Sequence, residues 1–165
     1  MQALDASAAA DARVLLGCFE VGGCTVAIDV AQLREIVRHV PPTPLPGAPA
    51  LIEGVIDLRG RLVPVVDLGR ALGAAPLRPG RRSRIAIAEL DGLLIGLAVD
   101  AALEILAVPA SALDDPPALA MNSGCEATRA VVRRPDAPPI AMLSLEHVLE
   151  SLYRAALARG REEGR

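Results

Sequence analysis

The chain has 165 residues, 52% of them apolar, with 17 basic and 20 acidic residues and a net charge of −3. That length and apolar content support one domain, or two small ones, with a real core, and exclude a disordered tail. One Phe (Phe19), one Tyr (Tyr153) and no Trp leave no stacking platforms for bases, and the negative charge argues against a nucleic-acid-binding surface.

All 17 cations are Arg. The absence of Lys removes Schiff-base chemistry, a Walker lysine and a Ser-Lys dyad. No apolar run approaches the ~18 residues of a membrane span. The Ala-rich start carries Asp5 and Asp11 but no basic region, so it does not read as a signal peptide. These features predict a cytoplasmic protein without direct membrane insertion. Cys18, Cys24 and Cys125 have no metal-type spacing, and no metal or cofactor is expected.

Residues 1–12 lack periodicity and read as a flexible arm. The chain then repeats one unit: strand, tight turn, strand, capping residue. The first copy is Val14–Val21, Gly22-Gly23, Cys24–Ile28 and Asp29. Pairing across that turn sets Val21 against Cys24 and puts Cys18 and Cys24 on opposite faces, so no disulfide is expected; both read as small buried apolar residues. The second copy is Ile52–Asp57, a turn at Arg59-Gly60, Leu62–Val66 and Asp67. A three-residue loop Leu58-Arg59-Gly60 would face Asp57 to Arg61, with Gly60 in the left-handed region. The third copy is Arg84–Leu90, Asp91-Gly92, Leu93–Val99 and Asp100, and the fourth is Ala130–Arg133, a Pro-Asp-Ala turn, Ile140–Leu143 and Ser144. Val55, Ile56, Leu62, Val63, Val65, Val66, Ile85, Ile87, Leu97 and Val99 are expected to be largely buried, because these near-continuous apolar runs imply strands covered on both faces.

Two features hint at internal symmetry. Glu35-Ile36-Val37 recurs as Glu104-Ile105-Leu106 after 69 residues, and Gly22-Gly23 recurs as Asp91-Gly92 at the same spacing. Pro-rich stretches, Pro41–Pro49 and Pro109–Pro117, follow units one and three. This suggests two interleaved halves, roughly 13–80 and 81–150, within one domain over 13–150, and small barrels or a sandwich. Leu145, Val148, Leu149, Leu152 and Ala156 share one helical face, predicting a C-terminal helix over 144–160 that begins at Ser144 and stops at Gly160, with a frayed tail over 161–165.

Catalytic signals are thin. His39 and His147 are the only histidines, and no nucleophile elbow, zinc-ligand pair or glycine-rich phosphate loop occurs. Asp29, Asp67 and Asp100 each follow an apolar strand, and helix capping accounts for all three, as for Ser144. Arg78, Arg81, Arg82 and Arg84 read as a solvated basic loop, and the Pro41–Pro49 run as a rigid connection. On geometry alone Arg59 is slightly more readily a solvated turn residue than a displayed one, and Glu35-Ile36-Val37 is equally a barrel strand or a partner-binding edge.

The stretch Pro46-x-x-Pro49, Gly54-Val55-Ile56-Asp57-Leu58-Arg59-Gly60, Val63-Pro64-Val65-Val66-Asp67-Leu68 resembles the signature of the CheW-like domain family. Leu33-Arg34-Glu35-Ile36, Gly96-Leu97-Ala98-Val99-Asp100 and Met142–Leu149 extend the resemblance over nearly all of the chain after residue 12. Asp57 departs from it, standing where the family usually has Asn, and Ala118–Pro139 matches poorly. The resemblance implies an all-β fold of two SH3-like five-stranded β-barrels with a C-terminal helix, and a scaffold without catalysis. It implies a chemosensory adaptor that binds the regulatory domain of a CheA-type histidine kinase and the cytoplasmic tip of a methyl-accepting chemotaxis receptor, held at the inner face of the membrane through receptor arrays. It marks Leu33, Glu35, Ile36, Asp57, Leu58, Arg59 and Gly60 as partner-binding. The alternative is a small-ligand-binding β-barrel protein with its pocket between the barrels.

Overall fold

The computed structural model describes residues 12–118 and 127–162. Most of the expected N-terminal arm, the end of the tail and Cys125 lie outside the described residues. The chain forms β1 (Arg13–Val21), β2 (Cys24–Asp29), a 3-10 turn (Val30–Gln32), β3 (Leu33–Arg38), β4 (Ile52–Leu58) and β5 (Arg61–Asp67). A short helix α1 (Leu68–Ala71) precedes β6 (Arg84–Leu90), β7 (Leu93–Val99), β8 (Ala101–Pro109), a second 3-10 turn (Ala110–Ala112) and β9 (Leu113–Asp114). The chain ends on β10 (Thr128–Arg134), β11 (Ala137–Leu143) and α2 (Leu145–Glu162). The long helix runs past Gly160 rather than stopping there.

Three hairpins turn in the same way. Gly22-Gly23, Arg59-Gly60 and Asp91-Gly92 each have both turn residues at positive φ (57° and 80°, 51° and 84°, 50° and 80°). Such two-residue turns carry the twist that flanking strands require. At the second hairpin this corrects the expected three-residue loop. Leu58 pairs with Arg61, and Asp57 faces Leu62 rather than Arg61.

The strands form two sheets, in the orders β8-β1-β2-β11-β10-β9 and β3-β6-β7-β5-β4. Each sheet takes strands from both 13–80 and 81–150, so the two segments interleave. The exchange is symmetric: the β1–β2 hairpin sends β3 to the edge beside β6, and the β6–β7 hairpin sends β8 to the edge beside β1. Even the register repeats. Glu35 pairs with Ile87 and Ile36 with Ala86, while Glu104 pairs with Cys18 and Ile105 with Gly17, all shifted by 69 residues. In each sheet the chain leaving the edge strand returns to the opposite edge. Thr43 and Val55 exchange backbone hydrogen bonds of 2.8 and 2.9 Å beside β4, and β9 pairs with β10. β9 is thus the far arm of the β8 edge, and each barrel has five strands. Gly54 is what lets Thr43 approach: its φ is +151°, and a Cβ there would lie 2.1 Å from the Thr43 carbonyl oxygen.

Three apolar clusters result. Leu16, Cys18, Ala27, Val132, Ile140 and Met142 fill the first barrel. Ile56, Val63, Val65, Ile85, Ile87 and Ala98 fill the second. Between them lies the largest, built from Phe19, Val26 and Ile28 of one sheet and Val66, Ala86, Leu97 and Val99 of the other. Leu145, Val148 and Leu152 of α2 seal it. Strands such as β6 therefore bury both faces, Ile85 and Ile87 inward and Ala86 and Ala88 towards the neighbouring barrel, which is why they read as unbroken apolar runs. Three expectations fail here. Leu62 is 72% exposed, Val55 is only half-buried, and Cys24, expected buried like Cys18, is exposed beside the first hairpin turn. Leu62 follows the hairpin turn on the face away from the barrel, opposite its buried neighbour Val63.

Candidate functional site

The capping residues sit where apolar strands end. Asp29 accepts a hydrogen bond from the Ala31 N–H (2.9 Å). Asp67, 1% exposed, accepts from the N–H groups of Arg70 (3.1 Å) and Leu77 (2.8 Å), so it holds both α1 and the loop beyond. Ser144 Oγ lies 2.9 Å from His147 Nδ1 and donates to Glu146 (3.0 Å) at the start of α2. The Glu146 carboxyl is held below the usual range chiefly by its hydrogen bond to backbone N–H. Asp100 differs: it leads into β8, not into a helix, and its carboxylate accepts from Gly22 N–H (2.7 Å). It ties the end of β7 to the first hairpin turn.

The β4–β5 hairpin tip gathers most of the partner-binding residues expected from the sequence. Asp57 Oδ1 accepts from Gly60 N–H (2.7 Å), closing the turn with a side-chain bond in the manner of Asx residues. Arg59 projects from the tip with 78% of its side chain exposed, and its Nη2 donates to Glu35 Oε2 on β3 at 2.7 Å. The Glu35 side chain is only 25% exposed. β3 and β4 are the two edges of this sheet, so the pair bridges them across the mouth of the barrel. Leu58 is half-buried against the second-barrel core. Ile36 lies on the solvent side of β3, 41% exposed. Leu33 does not join the group: it packs on the inter-barrel cluster, beside Gly17.

Three further charges, outside the set expected to bind a partner, complete the site. Arg34 and Glu89 form an ion pair alongside Arg59–Glu35, and Arg61 stands next to them. Together they line a crevice of about 240 Å³ at the barrel end. Arg34 and Glu89 sit on neighbouring strands 55 residues apart, so only the sheet order reveals the pair. A second apolar surface was also missed. Leu15, Leu103 and Ile105 on β1 and β8 are 49%, 43% and 58% exposed. Ile105 is the register equivalent of Ile36, so the 69-residue repeat was the signal that pointed to it. Among the described residues no group of three or more His, Cys, Asp or Glu side chains is placed to hold a metal ion. No helix there is long and apolar enough to cross a membrane.

The chain is thus two interleaved five-stranded barrels with a salt-bridged arginine displayed at a hairpin tip. A family model for the CheW-like domain matches residues 16–152, and the chain belongs to that family. It is 33% identical over 138 residues to a chemotaxis protein CheW of Rhizobium meliloti, covering 84% of this chain and 88% of that protein. It is 30% identical over 143 residues to protein FrzA of Myxococcus xanthus, covering 86% and 89%. The crystal structure of the scaffolding protein TtCheW from Thermoanaerobacter tengcongensis superposes with a TM-score of 0.77 at 28% identity, over 84% of this chain and 94% of that one. The fold is accordingly the pair of SH3-like barrels that the sequence resemblance implied.

Proposed function

We propose that this chain is a non-catalytic adaptor that couples methyl-accepting chemoreceptors to a CheA-type histidine kinase in a chemosensory array, working in the cytoplasm at the inner face of the membrane. Its relatives are named as chemotaxis and scaffolding proteins over most of their length and most of this one. The observation that carries the reading is the Arg59–Glu35 pair. A two-residue turn leaves a hairpin tip little freedom, Asp57 pins that turn, and Glu35 holds the guanidinium in one orientation. The entropy of ordering Arg59 is thereby met before any partner arrives, which favours binding. Four of its five donor N–H groups remain for a carboxylate or carbonyl on the partner. Glu35, Asp57, Leu58, Arg59 and Gly60 form the kinase- or receptor-facing tip in this reading. Ile36 extends it along β3 while Leu33 backs that strand from the inter-barrel cluster, and the exposed Leu15 and Ile105 offer an apolar bed for a helical receptor tip between the barrels.

The test is calorimetric titration of the intact chain with the kinase regulatory domain and with a receptor-tip fragment. Binding of both partners, weakened by Arg59→Ala without loss of thermal stability, supports the adaptor. Failure of the wild-type chain to bind either one overturns it.

A further inference from the structure

A second surface adjoins that tip and shares Arg61 with its crevice. On α2, Leu149, Tyr153 and Leu157 follow one another at i, i+4 positions. Leu149 packs at the edge of the Leu145–Val148–Leu152 stripe that faces the core, and Tyr153 and Leu157 carry the row outward into solvent. Facing Leu149 and Tyr153 are Leu62 and Leu93, each beside a hairpin turn. Between them opens a cleft of about 450 Å³. Leu62, Leu93, Tyr153 and Leu157 are 72%, 59%, 65% and 71% exposed, a concentration of large apolar side chains that a solvated surface has no use for. Among the described residues the one charged side chain in the lining is Arg61. Its neighbours Arg34 and Arg59 are both engaged by glutamates, whereas Arg61 has no ion pair among the described residues.

We propose that this cleft is a docking groove for an amphipathic helix of a partner protein, with aliphatic side chains on its inner face and a carboxylate placed to meet Arg61. Three points select that occupant. The uncompensated guanidinium at the rim of an apolar cleft calls for an acidic complement. Of the lining strands, β5 and β7 are paired on both sides, β5 with β4 and β7, β7 with β5 and β6, and β4, which contributes Ile52, meets Thr43 along its outer edge, so the cleft favours a helix over an added strand. The apolar stripe also extends beyond the cavity to Leu157, eight residues from Leu149. That is on the order of 12 Å, about two helical turns and longer than a small ligand needs.

The probe is a fluorescein-labelled helical peptide of about 14 residues with leucines at i, i+3, i+4 and i+7 and one flanking glutamate. Its glutamine analogue is run beside it, and both are titrated by anisotropy against the full chain. The glutamate peptide is expected to bind, and Arg61→Gln to weaken it by about twofold to fivefold while leaving the glutamine peptide unchanged. Leu62→Ser, at an exposed position and checked by thermal melt, is expected to weaken both peptides. Absence of saturable binding, equal affinity for the two peptides, or indifference to Leu62→Ser would overturn the proposal. So would a dimer in sedimentation that Leu62→Ser dissolves, which would make a second copy the occupant. Arg61 lines both the crevice and the cleft, so Leu62→Ser, which lies outside the crevice, separates the two readings. The adaptor reading requires it to leave kinase and receptor-tip binding unchanged, and this proposal requires it to weaken the peptide.

Discussion

Arg59 Nη2 lies 2.7 Å from Glu35 Oε2, and this single contact joins the hairpin tip after β4 to the opposite edge strand of the same barrel. Arg59 is so exposed that the pair adds little to stability; its value lies in orienting a guanidinium. Arg59→Ala is expected to shift the melt by no more than ~0.5 kcal/mol, yet to weaken kinase or receptor-tip binding by more than about 1 kcal/mol, as anchor arginines do. Arg59→Lys should rescue only in part if the contact is bidentate. Glu35→Ala should weaken binding less than Arg59→Ala, and the double variant should be non-additive. Unchanged affinities for both partners in calorimetry would return Arg59 to the role of a solvated turn residue.

Gly54 closes the second barrel by admitting the Thr43 carbonyl. Gly54→Ala places a methyl group on that oxygen, at a φ that side chains avoid, and should cost on the order of 2–4 kcal/mol. Gly80→Ala is the control, because a Cβ there meets nothing within 4 Å. Urea melts of the two variants should differ in midpoint; matching midpoints would mean the Thr43–Val55 bridge does not hold in solution.

Val65 and Leu62 lie on the same strand with opposite fates, fully buried and 72% exposed. Val65→Ala should cost about 1–3 kcal/mol and Leu62→Ala within ~0.5 kcal/mol. Comparable losses from both in denaturant unfolding would contradict the register of β5.

Glu53 is half-buried, and burial, with Asp67 nearby, pushes its carboxyl up despite the opposing pull of Arg70. A carboxyl raised in the folded state favours folding while protonated. Its contribution is full below the unfolded value of about 4.3 and is lost as pH rises through the folded one. Glu53→Gln should therefore raise the melting temperature at pH 7 and narrow the gap between melts at pH 7 and pH 5. A variant less stable than the parent at pH 7 would show that the charge is needed.

Cys18 is buried, its thiol pushed up chiefly by burial, and Cys24 is exposed. In a Cys125→Ser background, a thiol-reactive dye should label one cysteine at once and the second only after denaturant. Failure to find two free thiols after unfolding would mean a disulfide that the hairpin register forbids.

Local chemistry made much of this molecule readable in one dimension. Turn residues at Gly22-Gly23, Arg59-Gly60 and Asp91-Gly92 mark hairpins wherever apolar runs flank them, and the helical spacing of Leu145, Val148 and Leu152 announces α2. The recurrence of Glu-Ile after 69 residues proved to be a repeat of register as well as of sequence. Apart from the turn type at Arg59-Gly60, the misreadings share a cause: the element a residue leads into or the layer it faces. Asp100 matched Asp29 and Asp67 in position but leads into a strand, because β8 must cross to the other barrel. Leu62 belongs to an apolar run, yet its face of β5 meets no covering layer at that height. Gly160 lies in a part of α2 that goes on to Glu162, and a glycine beyond the last core contact does not by itself end a helix.

The sequence alone determined the alphabet of parts: strands, tight turns, one long helix, an arginine at a hairpin tip, and membership of a family. Periodicity and turn propensity act over a few residues and are written into neighbouring side chains. Only the tertiary structure decided that Arg59 reaches Glu35, that Arg34 takes Glu89, that Arg61 is left over beside an apolar cleft, and that Thr43 seals a barrel against Gly54. Those relationships join residues far apart in the chain. They arise from strand exchange between two barrels, and a chain of local preferences holds no record of which edges will meet until the cores between them have packed.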